Sequence, residues 1–239
     1  DCGAPLLVDP DSKPFFSFGV NHIDWNGDTD RQTNASPSHA AVNPRSGTEE
    51  AWAQSVGQRM TAWGWNTAGA WSSDSMGRVV PYTPILNLSG ANWTTGSVPD
   101  YFTDDWASGV RASALSGTAG RSQDRNLLGY FIDNEMHWGP DWRTSSDLFE
   151  SYLTLDAATP GKQALVGVLR DRHHGDIADF NQAWATSFES FDALAAATSL
   201  PPRGMSAEAD ADRSAFILLL GRRFFTVTAG AIREGDPNH

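Results

Sequence analysis

Cysteine, lysine and long apolar runs are what this chain has least of. Cys2 is the single cysteine among 239 residues, so no internal disulfide can form. At the terminus it reads as a spare residue, with lipid attachment or an inter-chain bond as alternatives. Lysine occurs only twice, against 15 arginines, and the formal charge is −12. Phosphate binding depends on clustered basic residues, so nucleic acid is excluded as a partner. The same charge disfavours a strongly anionic polysaccharide. No run approaches the roughly 20 apolar residues of a membrane span. The longest apolar cluster, Phe216 to Leu220, stops at Gly221-Arg222-Arg223. No signal peptide is evident, and the chain opens at Asp1 as if processed or trimmed. No Ser-His-Asp arrangement, phosphate-cradling glycine loop or zinc spacing occurs, so neither cofactor nor metal is expected.

What is present centres on Leu127 to Gly139, LLGYFIDNEMHWG. Its apolar and aromatic start suits a strand buried on both faces of a parallel sheet. The run then turns polar at Asp133-Asn134-Glu135 and ends in His137 and Trp138. A buried strand that delivers a carboxylate at its C-terminal end is how α/β folds place a catalytic group, which makes Glu135 the leading candidate. The bland alternative is a helix N-cap followed by solvated acids.

Taken in order, residues 1 to 13 read as an approach segment with a turn at Asp9-Pro10-Asp11-Ser12. Phe15 to Val20 is the first strand, with Asn21 and His22 at its exit. Asp24 to Arg45 is a long polar loop. Its Asp24–Asp30 stretch has a misplaced glycine for a calcium site, so a substrate-side loop is the reading. Ser46-Gly47-Thr48-Glu49 forms a capping box, opening a helix with Trp52, Val56, Met60 and Trp63 on its core face and Gly64 at its end. Asn66 to Trp71 is the second strand. Val79 to Leu88 is the third, although Pro81 and Pro84 are unusual in a central strand. Asp100 to Leu115 is helical and leads back to the fourth strand. Beyond Trp142 only helices are expected: Ser145 to Ala157, Gly161 to His173, Ile177 to Trp184, Phe191 to Ala197, and a long one from Ser206 to about Glu234. The last carries Phe216, Leu219, Leu220, Phe224, Val227 and Ala231 on one stripe.

Gly129-Tyr130-Phe131-Ile132-Asp133-Asn134-Glu135 followed by Trp138-Gly139 resembles the fourth-strand motif of the retaining (β/α)8 glycoside hydrolases of clan A type. β-Agarase-like and β-galactosidase-like enzymes come nearest. Lys13 to Asn21 is similar to their first strand, and His174 to Ile177 with Phe180 to Phe188 to a helical segment after the fourth. The resemblance implies that Glu135 is the general acid/base and that Asn134 hydrogen-bonds a sugar hydroxyl beside the scissile bond. It also implies an α/β fold, the N-terminal part of a (β/α)8 TIM barrel. About four βα units occupy residues 1–239 as a single partial domain, with a helical insertion at about 143–204.

Retaining hydrolysis needs a second carboxylate about 5–5.5 Å from the first. The remaining glutamates, Glu49, Glu50, Glu150, Glu189, Glu208 and Glu234, all fall on expected helices, which puts the nucleophile outside this chain. Glu135 itself, between aromatics and near another acid, is expected to hold a proton near neutrality. Among ten tryptophans, Trp25, Trp71, Trp93 and Trp138 lie in loops or at strand exits, where an indole can stack on a sugar. His22 could contact a substrate hydroxyl or be structural; His173-His174 read as a favourable charge at a helix end. The expectation is therefore a glycoside hydrolase acting on a galactose-containing polysaccharide such as agarose. A β-galactosidase-like enzyme for short galactosides, or a non-catalytic carbohydrate-binding protein, is the alternative. The expected partners are the saccharide and either the C-terminal half of the barrel or a second copy of the chain, with no membrane. A polymeric substrate mildly favours secretion or the periplasm.

Overall fold

In the computed structural model, which describes residues 7–9 and 11–239, the chain forms two units. Cys2 and Pro10 lie outside the described residues. The first unit contains the chain up to Ile85, with Gly120–Phe131 and Asn238–His239; the second contains Leu86–Ala119 and Ile132–Pro237.

A short parallel sheet organises the first unit. β1 (Gly19–Val20) pairs with β2 (Thr67–Ala68), Ala68 pairs with Tyr82 of a third extended segment, and Tyr82 and Ile85 pair with Leu127 and Phe131 of a fourth. The order follows the sequence and every one of these pairings is parallel. Pro81 and Pro84 join this ladder through their carbonyls, accepting from the Ala68 and Phe131 amides at 2.9 Å each, so their missing N–H groups leave the ladder intact. At β1, Gly19 is required by crowding: a methyl group there would lie 2.1 Å from the Thr67 carbonyl oxygen.

Two helices cover this sheet, α1 (Pro37–Ser46) and α2 (Glu49–Ala62), and a 3-10 turn spans Asp74–Arg78. The expected loop at 24–45 thus contains a helix. Pro37 sits in its first turn, Pro44 lies inside it, and it buries no residue, so it carried no apolar stripe to read. Ser46 ends α1, and Thr48, accepting from the Ala51 amide, is the N-cap of α2. This replaces the capping box expected from Ser46. Trp52 and Met60 are buried as expected, but Trp63 is 64% exposed because it caps the helix end beside Gly64. The core joins Trp25, Trp52, Ala53, Met60, Ala68, Met76, Val80, Tyr82 and Leu127.

The fourth segment is less buried than its composition suggested. Leu127 is buried, Tyr130 half-buried and Phe131 exposed, and Phe16 and Phe18 of the first segment are exposed as well. Phe16 and Phe18 lie just before β1, and Phe131 in the bridge to Ile85.

The second unit is helical: α3 (Asp104–Thr118), α4 (Leu148–Leu153), α5 (Pro160–Arg172), α6 (Ile177–Trp184), α7 (Phe191–Ala195) and α8 (Ala207–Gly235). Each begins on a Ser, Thr or Asp cap, which is why the sequence signals were sharp here. α8 is long and apolar enough to cross a membrane by length and composition. One face of it packs along α3, burying Phe216, Leu220, Phe224, Thr228 and Ile232, while Leu218 and Phe225 stay exposed. Its buried Arg213 lies over the rings of Phe149 and Trp184, 4.6 and 5.1 Å from their centroids, and pairs with Glu150 at 2.7 Å.

Candidate active site

Four exits from the extended segments share one backbone trait. His22 (φ 61°), Trp71 (φ 58°), Asn87 (φ 52°) and Glu135 (φ 43°) follow the first to the fourth segment in turn, and all adopt the left-handed conformation without being glycine. Such a backbone costs about 1–3 kcal/mol and persists only where its surroundings enforce it, a condition that concentrates at functional sites.

Glu135 is exposed, not enclosed between aromatics as expected. The surrounding groups hold its main chain instead. Arg143 Nη2 donates to the Glu135 carbonyl oxygen at 2.9 Å, and Arg143 Nη1 reaches the Trp93 carbonyl at 3.5 Å. The Arg143 side chain is only 5% exposed and forks onto the Asp141 carboxylate. Hydrogen bonding to Arg143 holds the Asp141 carboxyl well below the usual range, against the opposing effect of burial. Asp141 also meets His137 Nδ1 at 3.2 Å, while His137 Nε2 meets the Ser146 carbonyl at 3.1 Å. These contacts together brace the loop carrying the candidate acid.

Asp133 is tied into the fold by Ser89. It accepts from the Ser89 amide at 2.6 Å and the Ser89 hydroxyl at 2.9 Å. Burial pushes its carboxyl up, and the Ser89 hydrogen bonds pull against that. Asn134 is half-buried beside Glu135.

The four tryptophans separate. Trp93 is 53% exposed on a tight 92–97 loop, where the Asn92 side chain accepts from the Thr94 and Thr95 amides at 3.0 Å each. Trp138 is half-buried, stacked on Phe225 and edge-on to Phe224 of α8. With Arg203, Leu218, Gly221 and Arg222 it lines a cavity of about 590 Å³. In the first unit, Trp71 is partly exposed and its ring stacks on His22 with centroids 6.5 Å apart. Trp25 is 8% exposed, edge-on to His39 and Trp52, and so is core: the loop folds back under α1 and buries it. Asn21 packs against Gly69, where a methyl group would stand 1.9 Å from its Oδ1. His22 Nε2 is 3.3 Å from Asp28.

Among the described residues no three His, Cys, Asp or Glu side chains converge as a cation site requires. Glu49 and Glu50 lie in the first turn of α2, Glu208 in that of α8, Glu150 is bound to Arg213, and Glu234 to Arg111. Glu189 sits in a bend before α7 and not on a helix. Sequence reasoning missed Arg143 and Trp142; the only local signal was the Asp141-Trp142-Arg143 spacing, too common to single out.

No family model matches the chain. It is 28% identical over 218 residues to beta-agarase A of Vibrio sp. (strain JT0107) and 23% identical over 207 residues to beta-agarase B of the same strain. These alignments cover 82% and 80% of this chain but 21% of each relative. Among solved structures it is similar to PfGH50B (TM-score 0.80, 18% identity) and to an exo-beta-agarase (TM-score 0.78, 17% identity), each match covering 98% of this chain and 44% of the other. An agarase, AgWH50C, matches with TM-score 0.78 and 18% identity over 98% of this chain and 42% of its own. The chain thus has the fold of rather less than half of each of these solved proteins, and spans about a fifth of the curated agarases to which it is similar.

Proposed function

We propose that these residues form part of a glycoside hydrolase acting on an agarose-like polysaccharide, with Glu135 as its general acid/base. The observation that carries the reading is the left-handed backbone of Glu135 at the end of the fourth parallel segment, held through its carbonyl by the buried Arg143. A carboxylic acid fixed at that exit can give its proton to a leaving glycosidic oxygen, and the carboxylate so formed can then deprotonate water. Asn134 is assigned to a neighbouring sugar hydroxyl, and Trp93 and Trp138 to sugar faces. Asn21, His22 and Trp71 are assigned to sugar contacts in the first unit. The similarity to agarases supports agarose as the substrate class.

The finer proposal is a retaining enzyme of TIM-barrel architecture. The sequential parallel order of the four segments supports it, as do the exposed Phe16, Phe18 and Phe131, which a continuing barrel would cover. The nucleophile is assigned to residues beyond these 239, in a C-terminal half-barrel or a second copy, since every other glutamate is committed to a helix, a bend or an ion pair. A polymer too large to enter a cell favours a secreted or periplasmic enzyme.

In the active enzyme containing this chain, Glu135→Gln should abolish agarose hydrolysis while sparing nitrophenyl galactosides, whose leaving group needs no proton. Undiminished agarose hydrolysis by that variant overturns the assignment. The 239 residues alone should be inactive on both substrates; an active monomer by light scattering and assay would place the nucleophile within them.

A further inference from the structure

One pair of aromatic residues remains outside the proposed acid/base machinery. Trp93 and Trp142 come from loops 49 residues apart in sequence, yet their ring centroids lie 5.2 Å apart at 61°. They are 53% and 66% exposed, an arrangement that packing does not account for. The pair is built rather than loose. The Trp93 loop is closed by the Asn92 side chain and by two backbone hydrogen bonds between Asn92 and the 96–97 end, each 2.8 Å. That loop rests on the buried His137 through Gly96, whose φ of 72° favours glycine and where an added methyl group would stand 3.2 Å from the imidazole. Trp142 is held from the other side by Arg143, its guanidinium carbon 5.5 Å from the ring centroid. Arg143 also bonds the Trp93 and Glu135 carbonyls, so one nearly buried cation ties both rings to the candidate acid.

We propose that Trp93 and Trp142 form a stacking subsite for the pyranose rings of a neutral oligosaccharide, kept in register with Glu135 by Arg143. The proposal rests on the reading of Glu135 as the proton donor to a glycoside. An indole offers a flat apolar face matched to the C–H face of a sugar, with an N–H edge for its hydroxyls. Rings inclined at 61° present two diverging faces, which suits successive sugars of a twisted chain and not one planar ligand. Thr94, Thr95, Ser97 and Ser145 are exposed beside them and supply hydroxyls rather than the apolar surround that a protein partner would need. The ligand is neutral by charge: the one cation at hand is neutralised by Asp141, and the chain carries −12 overall.

The test is a titration of the 15N-labelled 239-residue chain with agarotetraose, cellotetraose and laminaritetraose, following the indole N–H resonances. Those of Trp93 and Trp142, assigned by Trp→Phe variants, should move together on addition of agarotetraose. Trp93→Ala and Trp142→Ala should each weaken binding by about three- to tenfold, while Trp63→Ala, also exposed but in the first unit, should not. Unchanged affinity in both platform variants, with the wild type still binding, overturns the subsite alone and leaves the reading of Glu135 standing. No binding of any tetraose by the wild type removes the subsite together with the glycan reading. Self-association lost on either Trp→Ala change, without glycan binding, would reassign the pair to a protein contact.

Discussion

Arg143 holds Glu135 by the main chain: its Nη2 lies 2.9 Å from the Glu135 carbonyl oxygen, at a residue whose φ is 43°. The buried cation therefore acts on the direction in which the glutamate side chain leaves the backbone. Arg143→Ala should cut turnover of agarose by about 10- to 100-fold through misplacement of the acid, with a smaller change in KM. Arg143→Lys should recover little, because an ammonium lacks the planar fork that spans Asp141 and the two carbonyls. Steady-state kinetics on both variants checks this; a KM effect alone would make Arg143 a binding group.

Trp25 and Trp71 should separate cleanly in a stability assay. Trp25→Ala empties a core site and is expected to cost about 3–5 kcal/mol. Trp71→Ala removes a partly exposed ring and should cost under about 1 kcal/mol, while weakening saccharide binding. Denaturant unfolding with a parallel binding titration reads both, and equal stability losses would show Trp71 to be packed.

Gly69→Ala tests how Asn21 is placed. The added methyl group would stand 1.9 Å from Asn21 Oδ1, so the side chain must leave its position. A loss of about 1–3 kcal/mol and a shifted Asn21 side-chain amide resonance are expected. An unmoved resonance would mean that Asn21 already points elsewhere.

His173 should make stability pH-dependent. It caps the end of α5 and is clamped between Asp179 at 2.6 Å and Asp212 at 2.8 Å, with Arg172 and the Trp184 N–H also on Asp212. Burial pulls the imidazolium down, but the hydrogen bonds and charges of the two aspartates outweigh it, and the folded pKa lies above the ordinary value. Stability from this group is fully present below that ordinary value, about pH 6.5, and is lost as the pH rises through the folded pKa. The melting temperature should therefore fall on the alkaline side in wild type and lose that slope in His173→Gln. Parallel curves for the two proteins would exclude the histidine.

The helices were legible where caps and stripes coincide. Ser206 opens α8 and Phe216, Leu220 and Phe224 are buried on it, so local chemistry and packing agree. α1 was illegible for the opposite reason, since a helix that buries nothing leaves no periodicity. Glu135 could be located because a strand motif precedes it, whereas its bracing by Arg143 depends on a loop closing back over eight residues. Trp25 shows the limit plainly: a tryptophan in a polar loop reads as available for ligand until the loop's return under α1 is known.

The left-handed exits carry a consequence for anyone engineering this protein. His22, Trp71, Asn87 and Glu135 each occupy a backbone that glycine adopts more readily, so glycine substitutions there should raise thermal tolerance. A screen that rewards heat resistance alone would collect those replacements first. On the reading of this site it would discard the proton donor along with the strain, yielding a hardier protein with nothing left to catalyse.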